Sequence, residues 1–402
     1  MYLKHVMLLS LAMSFLFLFG IMAIYLCHHL ASTIKSIDIP DNLRKGHKIP
    51  TPSTGGIGIF LTFLVGLIFA LKQPVYAFSD ELLSFAPYFL FSICLIAATG
   101  FYDDVKGLSS KPKFTLQIAA SLIIVVGLDQ TLLASSITYS ELPIYTKLLL
   151  HSLFILWIVA NCNAVNLIDG VDGLAGSIAL TIIAGLCALA GYWGQYDMIL
   201  ILLPLAAAIL PFLVFNRPPA SIFMGDTGSL LIGFVLPVLA LVIGLNSPHW
   251  SYNIILIAFF GVPLLDTVTS IFRRVSMGIN IFESDNNHAH HVIQRKYKSP
   301  GMAILVMVAL SIIFQTYGLW LATLTTVADM VIAVGTFILS AASFVVYYYL
   351  NLMNKNSYFR LKYINENRHV NGKGNDDERD KIKRELKNKN ETKNVTANHL
   401  SL

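Results

Sequence analysis

Charge is scarce in this chain: of 402 residues only 13% are Asp, Glu, Lys or Arg, whereas 55% are hydrophobic. That balance excludes an ordinary soluble globule, in which about a quarter of residues are charged. Cysteine is sparse too. Cys27, Cys94, Cys162 and Cys187 form no CxxC pair and have no histidine at zinc-site spacing, which excludes a disulfide scaffold and a structural zinc centre. The thiols read as reduced and structural. No cleavable leader is expected either, because the first apolar run, Val6–Cys27, is too long for a signal-peptide core and is followed by no small-residue cleavage site. That run reads as an anchor.

What is abundant is apolar length. Hydrophobic runs of spanning size fall near 6–27, 55–71, 85–101, 114–128, 148–163, 174–192, 198–215, 229–245, 253–272, 302–322 and 329–352. Together with a mean hydropathy of +0.67 they predict an all-α, polytopic integral membrane protein of about eleven transmembrane helices. Lysine and arginine orient it. With the N-terminus outside and the C-terminus cytoplasmic, 25 of the 28 fall on the inner side, leaving only Lys4, Lys72 and Lys147 outside. The expected domains are a membrane domain over 1–354 and a basic, disordered cytoplasmic tail over 355–402, with 12 Lys/Arg against 7 Asp/Glu.

This orientation gathers nearly every unusual polar cluster at one membrane surface. A transporter would place such residues at the bilayer midplane, on broken helices. An enzyme joining a soluble substrate to a lipid would place them here.

The central stretch, NCNAVNLIDGVDGLAG over 161–176, packs Asn161, Asn163, Asn166, Asp169 and Asp172 between two apolar runs. Unpartnered, each would cost several kcal/mol in hydrocarbon, roughly 2–7 by transfer scales. Asp169 and Asp172 are three apart and would share a face on a helical turn. Carboxylates, amide oxygens and glycines in this pattern suit a magnesium and phosphate site, with a polar inter-helix loop as the simpler reading.

Five further places in the chain carry chemistry. Arg44, Lys45, His47 and Lys48 form a basic strip, either membrane-flank charge or an anion attractor. Adjacent Asp103 and Asp104 end a span, with Lys106, Lys111 and Lys113 close behind. On a helix neighbouring carboxylates diverge by about 100°, so they suit two different jobs. Asp226 in FMGDTGS stands at a helix start, as a diphosphate-side acid or as an N-cap, with Asn216 and Phe223 nearby to meet a base. Asp266 lies about two turns from Arg273, which favours a structural pairing with an arginine or a neighbouring helix. Finally, Arg273 and Arg274 open a loop that His288, His290 and His291 close, a set better suited to phosphate oxygens than to zinc.

Taken together, RKGH…PTPSTGG, YDDVKGL…KPKF, NAVNLIDGVDGLAG, NRPPASIFMGDTGS and the RR…HAHH loop resemble the polyprenyl-phosphate N-acetylhexosamine-1-phosphate transferases over roughly residues 38–350. The resemblance implies a bundle of ten or eleven membrane helices in the bacterial inner membrane, with a cytoplasmic active site. It implies a reaction in which the phosphate of undecaprenyl phosphate attacks a UDP-sugar and UMP leaves. By position it implies Asp226 as a magnesium ligand with Asn166 as companion, manganese being the alternative ion. It puts Asp103 and Asp104 by the lipid phosphate, one of them as base, and Asp172, Asn216 and Phe223 on the uridine. Arg273 and the three histidines would hold diphosphate or sugar, and Lys111 and Lys113 would assist with phosphate. The HAHH run followed by Val292, with RKGH and the double arginine, resembles the GlcNAc-1-phosphate transferases of the WecA/TagO type. Ile281, Asn280 and Ala289 depart from that branch, so a muramyl-pentapeptide or other N-acetylhexosamine donor stays as the alternative, and an ion-coupled transporter as the reading of a different class. The expected partners are the UDP-sugar, undecaprenyl phosphate and membrane lipid, with no nucleic acid and with a homodimer left open.

Overall fold

The computed structural model describes residues 2–39, 49–72, 78–134, 137–247, 255–276 and 288–324, with scattered positions from 326 to 335. Almost all of these belong to one compact unit, Met1–Pro40 with Gly46–Val334; of a second unit, Asp41–Lys45 with Gly335–Leu402, only Gly335 is among the described residues. The basic strip with Lys48, the run at 329–352, the departures at 280–281 and the tail lie outside the described residues, apart from isolated positions in that run.

The architecture is all-α. In order come α1 (Tyr2–Ile34), α2 (Gly55–Lys72), α3 (Asp80–Lys106), α4 (Ser110–Gln130), α5 (Ile137–Ser140), α6 (Ile144–Ile168) and α7 (Leu174–Tyr192). Then follow α8 (Tyr196–Asn216), α9 (Gly225–Leu245), α10 (Leu256–Phe259), α11 (Gly261–Ser276), α12 (Ala289–Tyr297) and α13 (Pro300–Ala322). A two-residue antiparallel ladder, β1 (Ile37–Asp38) with β2 (Thr51–Pro52), leads into α2.

Nine helices among the described residues are long and apolar enough to cross a membrane, so the chain is a multi-pass membrane protein. They match the first eight predicted runs and the tenth. The run at 253–272 is not one helix: it breaks between α10 and α11 at Phe260. Pro263 has no N–H to return to the preceding turn, which ends α10. Gly261 lies so close to the Phe314 ring that a Cβ there would come within 2.9 Å of it. The second piece, α11, turns its polar side inward and its apolar side outward, the reverse of a helix on a water-soluble globule. Asp266, Ser270, Arg273 and Arg274 are buried while Val268, Ile271, Phe272 and Val275 are exposed.

The centre of the bundle is α9. Its sequence is apolar on every side, the pattern of a helix enclosed by others, and Thr227–Gly244 is buried at every position. It packs on α3, α6 and α2. Small residues let the backbones approach, as in other membrane bundles: a Cβ on Gly233 would meet the Cys162 backbone of α6 at 2.8 Å. Trp157 on α6 donates to the Pro237 carbonyl of α9 at 3.1 Å. By contrast, α1 and the first half of α6 keep broad apolar faces exposed (Leu11, Phe15, Leu18; Leu148, Leu149, Leu156), as lipid contact requires.

Candidate functional site

Because the helices alternate in direction, the C-terminal ends of α3, α6 and α8 meet the N-terminal ends of α2, α4, α7 and α9. Three backbones come together first. A Cβ on Gly56 would lie 2.1 Å from Gly228 N, and one on Gly100 would lie 2.5 Å from the Asp226 carbonyl. Gly225 has φ +67, and a Cβ there would meet Ser53 O at 2.5 Å. Only glycine permits this approach. The entry to α2 and the α8–α9 loop are then stitched by Phe223 N–H donating to Pro52 O (2.7 Å), Gly55 N–H to Phe223 O (3.0 Å) and Gly56 N–H to Met224 O (2.9 Å).

This packing lets Asp104, on the last turn of α3, reach the free N–H groups that start α9. Its carboxylate accepts from Asp226 N (2.7 Å), Thr227 N (2.9 Å) and the Thr227 hydroxyl (2.6 Å). It therefore caps α9 from another helix, where a negative charge also meets the positive end of the helix dipole. Asp103 does something else: it accepts from Leu108 N–H and pairs with Lys113. The Lys113 ammonium is shared with Asp226, and the other Asp226 oxygen accepts from Asn166 Nδ2 at 2.8 Å. The same Asn166 nitrogen also donates to Ser229 Oγ at 2.8 Å. Four helices thus converge on one oxygen-rich cluster, with a single ammonium bridging two carboxylates. Beneath it, Asn163 Nδ2 donates to Gln117 Oε1 at 2.7 Å, one turn further along α4 and α6.

Asp169 and Asp172 correct the expectation of a shared helical face. Helix α6 ends at Ile168, and both residues lie in the turn that leads to α7. Burial, and then the charges of Asp226, Asp104 and Asp172, push the Asp169 carboxyl well above the usual carboxylate range. Asp172 instead accepts from Ala220 N at 2.9 Å. Asn216 clamps the same loop, accepting from Gly173 N (2.7 Å) and donating to Ile222 O (2.7 Å). The buried Asn216 amide and one Asp172 oxygen are thus committed to the protein backbone, and Phe223 is half-buried beside them.

On the other side of the turn stand the histidines. A Cβ on Gly170 would come within 2.9 Å of His290 Nε2 and 3.3 Å of His291 Nε2, so the HAHH run lies directly against NLIDGVDG. His290 is fully buried, and among the described residues neither ring nitrogen has a hydrogen-bond partner. Burial, and then the neighbouring charge on His291, lowers its pKa to about 3, so it stays neutral. Arg273 and Arg274 sit buried on the inner face of α11, Arg273 donating to Ser270 Oγ at 3.3 Å. Lys111 is exposed.

Of the two pairings foreseen for Asp266, the neighbouring helix is the one observed: it accepts from His288 Nδ1 at 2.8 Å and Ala289 N at 2.7 Å. Gly100, whose signal was a small residue just before YDD, was passed over. So was a polar cluster at the opposite end of α4 and α6, where Tyr139 donates to Asp129 at 2.5 Å and meets His151 Nε2 at 2.7 Å. Among the described residues no group of three or more His, Cys, Asp or Glu side chains forms a ready metal cage.

Comparison with known proteins adds the family. The model of glycosyl transferase family 4 matches residues 86–244, which hold Asp103, Asp104, Lys113, Asn166, Asp169, Asp172, Asn216 and Asp226. The chain is 32% identical over 293 residues to "Probable undecaprenyl-phosphate N-acetylglucosaminyl 1-phosphate transferase" of Bacillus subtilis, covering 71% of this chain and 77% of that protein. It is 30% identical over 289 residues (72% and 83%) to the undecaprenyl-phosphate alpha-N-acetylglucosaminyl 1-phosphate transferase of Thermotoga maritima. To the protein of that same name from Escherichia coli K12 it is 27% identical over 309 residues (74% and 80%). With relatives matched along most of both chains and the family model lying across the residues that converge, this chain belongs to glycosyl transferase family 4.

Proposed function

We propose that the protein transfers GlcNAc-1-phosphate from UDP-GlcNAc to undecaprenyl phosphate and releases UMP. The observation that carries this reading is the meeting of Asp103, Lys113, Asn166 and Asp226 at one end of four helices. The names of the relatives favour GlcNAc over a muramyl-pentapeptide. A transporter is disfavoured by the same geometry, since the acids gather at helix ends rather than along a broken mid-membrane helix.

In this reading an oxygen of the lipid phosphate attacks the sugar-bearing phosphorus. The new P–O bond forms as the bond to the bridging oxygen breaks, and UMP departs with that electron pair. An anion attacks an anion, so charge neutralisation is the first requirement. Lys113 supplies positive charge at the acids, and Arg273 and Arg274 bring more from α11. A phosphate monoester has its second pKa near 6, so the nucleophile is largely ionised at pH 7 and needs little base. Asp103 is the better candidate for any residual proton, because Asp104 is committed to the start of α9.

Magnesium fits the donor set. It binds through one or two carboxylates and leaves other positions to water and substrate phosphate, and here two carboxylates share one cation. Asp226 and Asp103 would hold it, with Asn166 joining through Oδ1, and manganese would substitute. The ion supplies Lewis-acid stabilisation of phosphoryl oxygens. Asp169 and the histidines then face the donor's diphosphate and sugar across the Gly170 turn, while Asp172, Asn216 and Phe223 shape the uridine side. The lysine and arginine distribution favours a cytoplasmic active site in a bacterial inner membrane, N-terminus outside.

The test is UMP release by purified protein with undecaprenyl phosphate and magnesium, offering UDP-GlcNAc, UDP-GalNAc and UDP-MurNAc-pentapeptide in parallel. UMP from UDP-GlcNAc alone is the expected result; no UMP from any donor would overturn it.

A further inference from the structure

The inner face of α11 carries an acid that the transfer reaction, as described above, does not use. Asp266 is buried, and each of its oxygens has one close partner: Oδ2 takes His288 Nδ1 at 2.8 Å, Oδ1 takes Ala289 N at 2.7 Å. His288 is itself buried. Its ring lies parallel to that of His290, with centroids 5.6 Å apart and planes at 8°. His290 in turn abuts Gly170, beside Asp169. A continuous line of contact runs from Asp266 through two stacked rings to the central turn. Asp266 Oδ2 stands 3.9 Å from His290 Nδ1, beyond hydrogen-bond range, so the carboxylate meets His290 by charge alone and makes its hydrogen bonds to His288 and the start of α12.

An acid here has a consequence that an amide of equal shape lacks. A carboxylate can only accept, so His288 must carry its proton on Nδ1. Nε2 is then left to meet a phosphoryl or sugar oxygen, accepting when the ring is neutral and donating when it is charged. An asparagine could still accept from Ala289 N–H and keep the helix start, but it would turn N–H toward His288 Nδ1 and force the opposite tautomer. A carboxylate that fixes a histidine in this way affects chemistry without touching substrate.

We propose that Asp266 is a positioning residue for the transfer: it locks His288 as the Nδ1–H tautomer and anchors α12, holding the HAHH histidines against the Asp169–Gly170 turn. The proposal rests on the reaction assigned above and adds the residue that sets its histidine side.

The test uses the full chain in nanodiscs, with 15N-labelled histidine spectra and UMP-release kinetics on the parent, Asp266→Asn, His288→Gln and the double variant. In the parent at pH 8, His288 shows the Nδ1–H tautomer; in Asp266→Asn it switches to Nε2–H. Turnover of Asp266→Asn falls about 10- to 100-fold while KM for UDP-GlcNAc moves by less than about threefold. The double variant is no slower than His288→Gln, because the two residues act as one unit. An Nε2–H tautomer in the parent overturns the lock even where Asp266→Asn fails to fold. A tautomer switch with unchanged turnover, or additive losses in the double variant, overturns the positioning role. A parent that shows the Nδ1–H tautomer but releases no UMP overturns the reaction assignment and leaves the lock standing.

Discussion

Two aspartates in this protein hold the start of a helix that is not their own. Asp104, on α3, receives two backbone N–H groups and a hydroxyl at the head of α9. Asp266, on α11, receives one backbone N–H and an imidazole at the head of α12. The device is the same but the freedom around it differs. At α9 three glycines bring backbones into contact, so Asp226 is fixed by packing as well as by hydrogen bonds. At α12 only a nine-residue helix follows, and orientation falls on one carboxylate and a stack of rings. The α9 side thus reads as the rigid acid half of the site and the α12 side as the half set by hydrogen bonding.

Four measurements sharpen or break that contrast, beginning with the largest effect. Asp226→Asn should lower UMP release by roughly 10³-fold while the protein still inserts and folds, since it removes charge at the shared cluster without removing shape. Near-parental turnover would remove Asp226 from the cation site. Next, Lys113→Met leaves Asp103 and Asp226 facing each other without the ammonium, at a cost of roughly 3 kcal/mol. If a divalent cation uses the same acids, millimolar magnesium should raise the melting temperature of this variant more than that of the parent. Equal shifts would place the metal elsewhere.

Gly100→Ala is the third. Its methyl would stand 2.5 Å from the Asp226 carbonyl, backbone that cannot swing away. Overpacking of this kind costs about 1–3 kcal/mol, and turnover should fall with stability because Asp226 is displaced. A melting curve matching the parent would mean the α3–α9 contact is looser than described.

The smallest effect belongs to the histidine half. His290 is neutral in the fold down to about pH 3, whereas an unfolded histidine takes a proton near pH 6.5. The unfolded state therefore binds more protons below pH 6.5. Stability contributed by the neutral ring is present above that value and is lost as pH falls toward 3, by at most about 1.4 kcal/mol per pH unit. Denaturation followed from pH 7 to 5 should be steeper for the parent than for His290→Leu; identical slopes would contradict the burial of that ring.

Much of the acid half was legible. The pair Asp103–Asp104, Lys113, Asn166 and Asp226 stood out because polar groups in apolar surroundings are costly and need partners. Their division into two jobs followed from helical geometry. The partners themselves were not legible. That Asn216, expected near the uridine, also clamps Gly173 to Ile222 could not be read, because an amide that bridges two backbones looks in sequence like one that waits for a base. The bond between Asp266 and His288 spans 22 positions, which no periodicity connects. The break at Phe260 was missed because an apolar run counts hydrocarbon and does not register the single N–H that Pro263 lacks.

By itself, then, the sequence determined that the chain is a multi-pass helical membrane protein with its polar clusters between spans, since transfer free energy is summed residue by residue and needs no knowledge of neighbours. The tertiary structure decided which carboxylate caps a helix, which shares an ammonium and which holds a histidine. Those choices depend on hydrogen bonds a few ångströms long between helices far apart in the chain, and only packing brings them into reach.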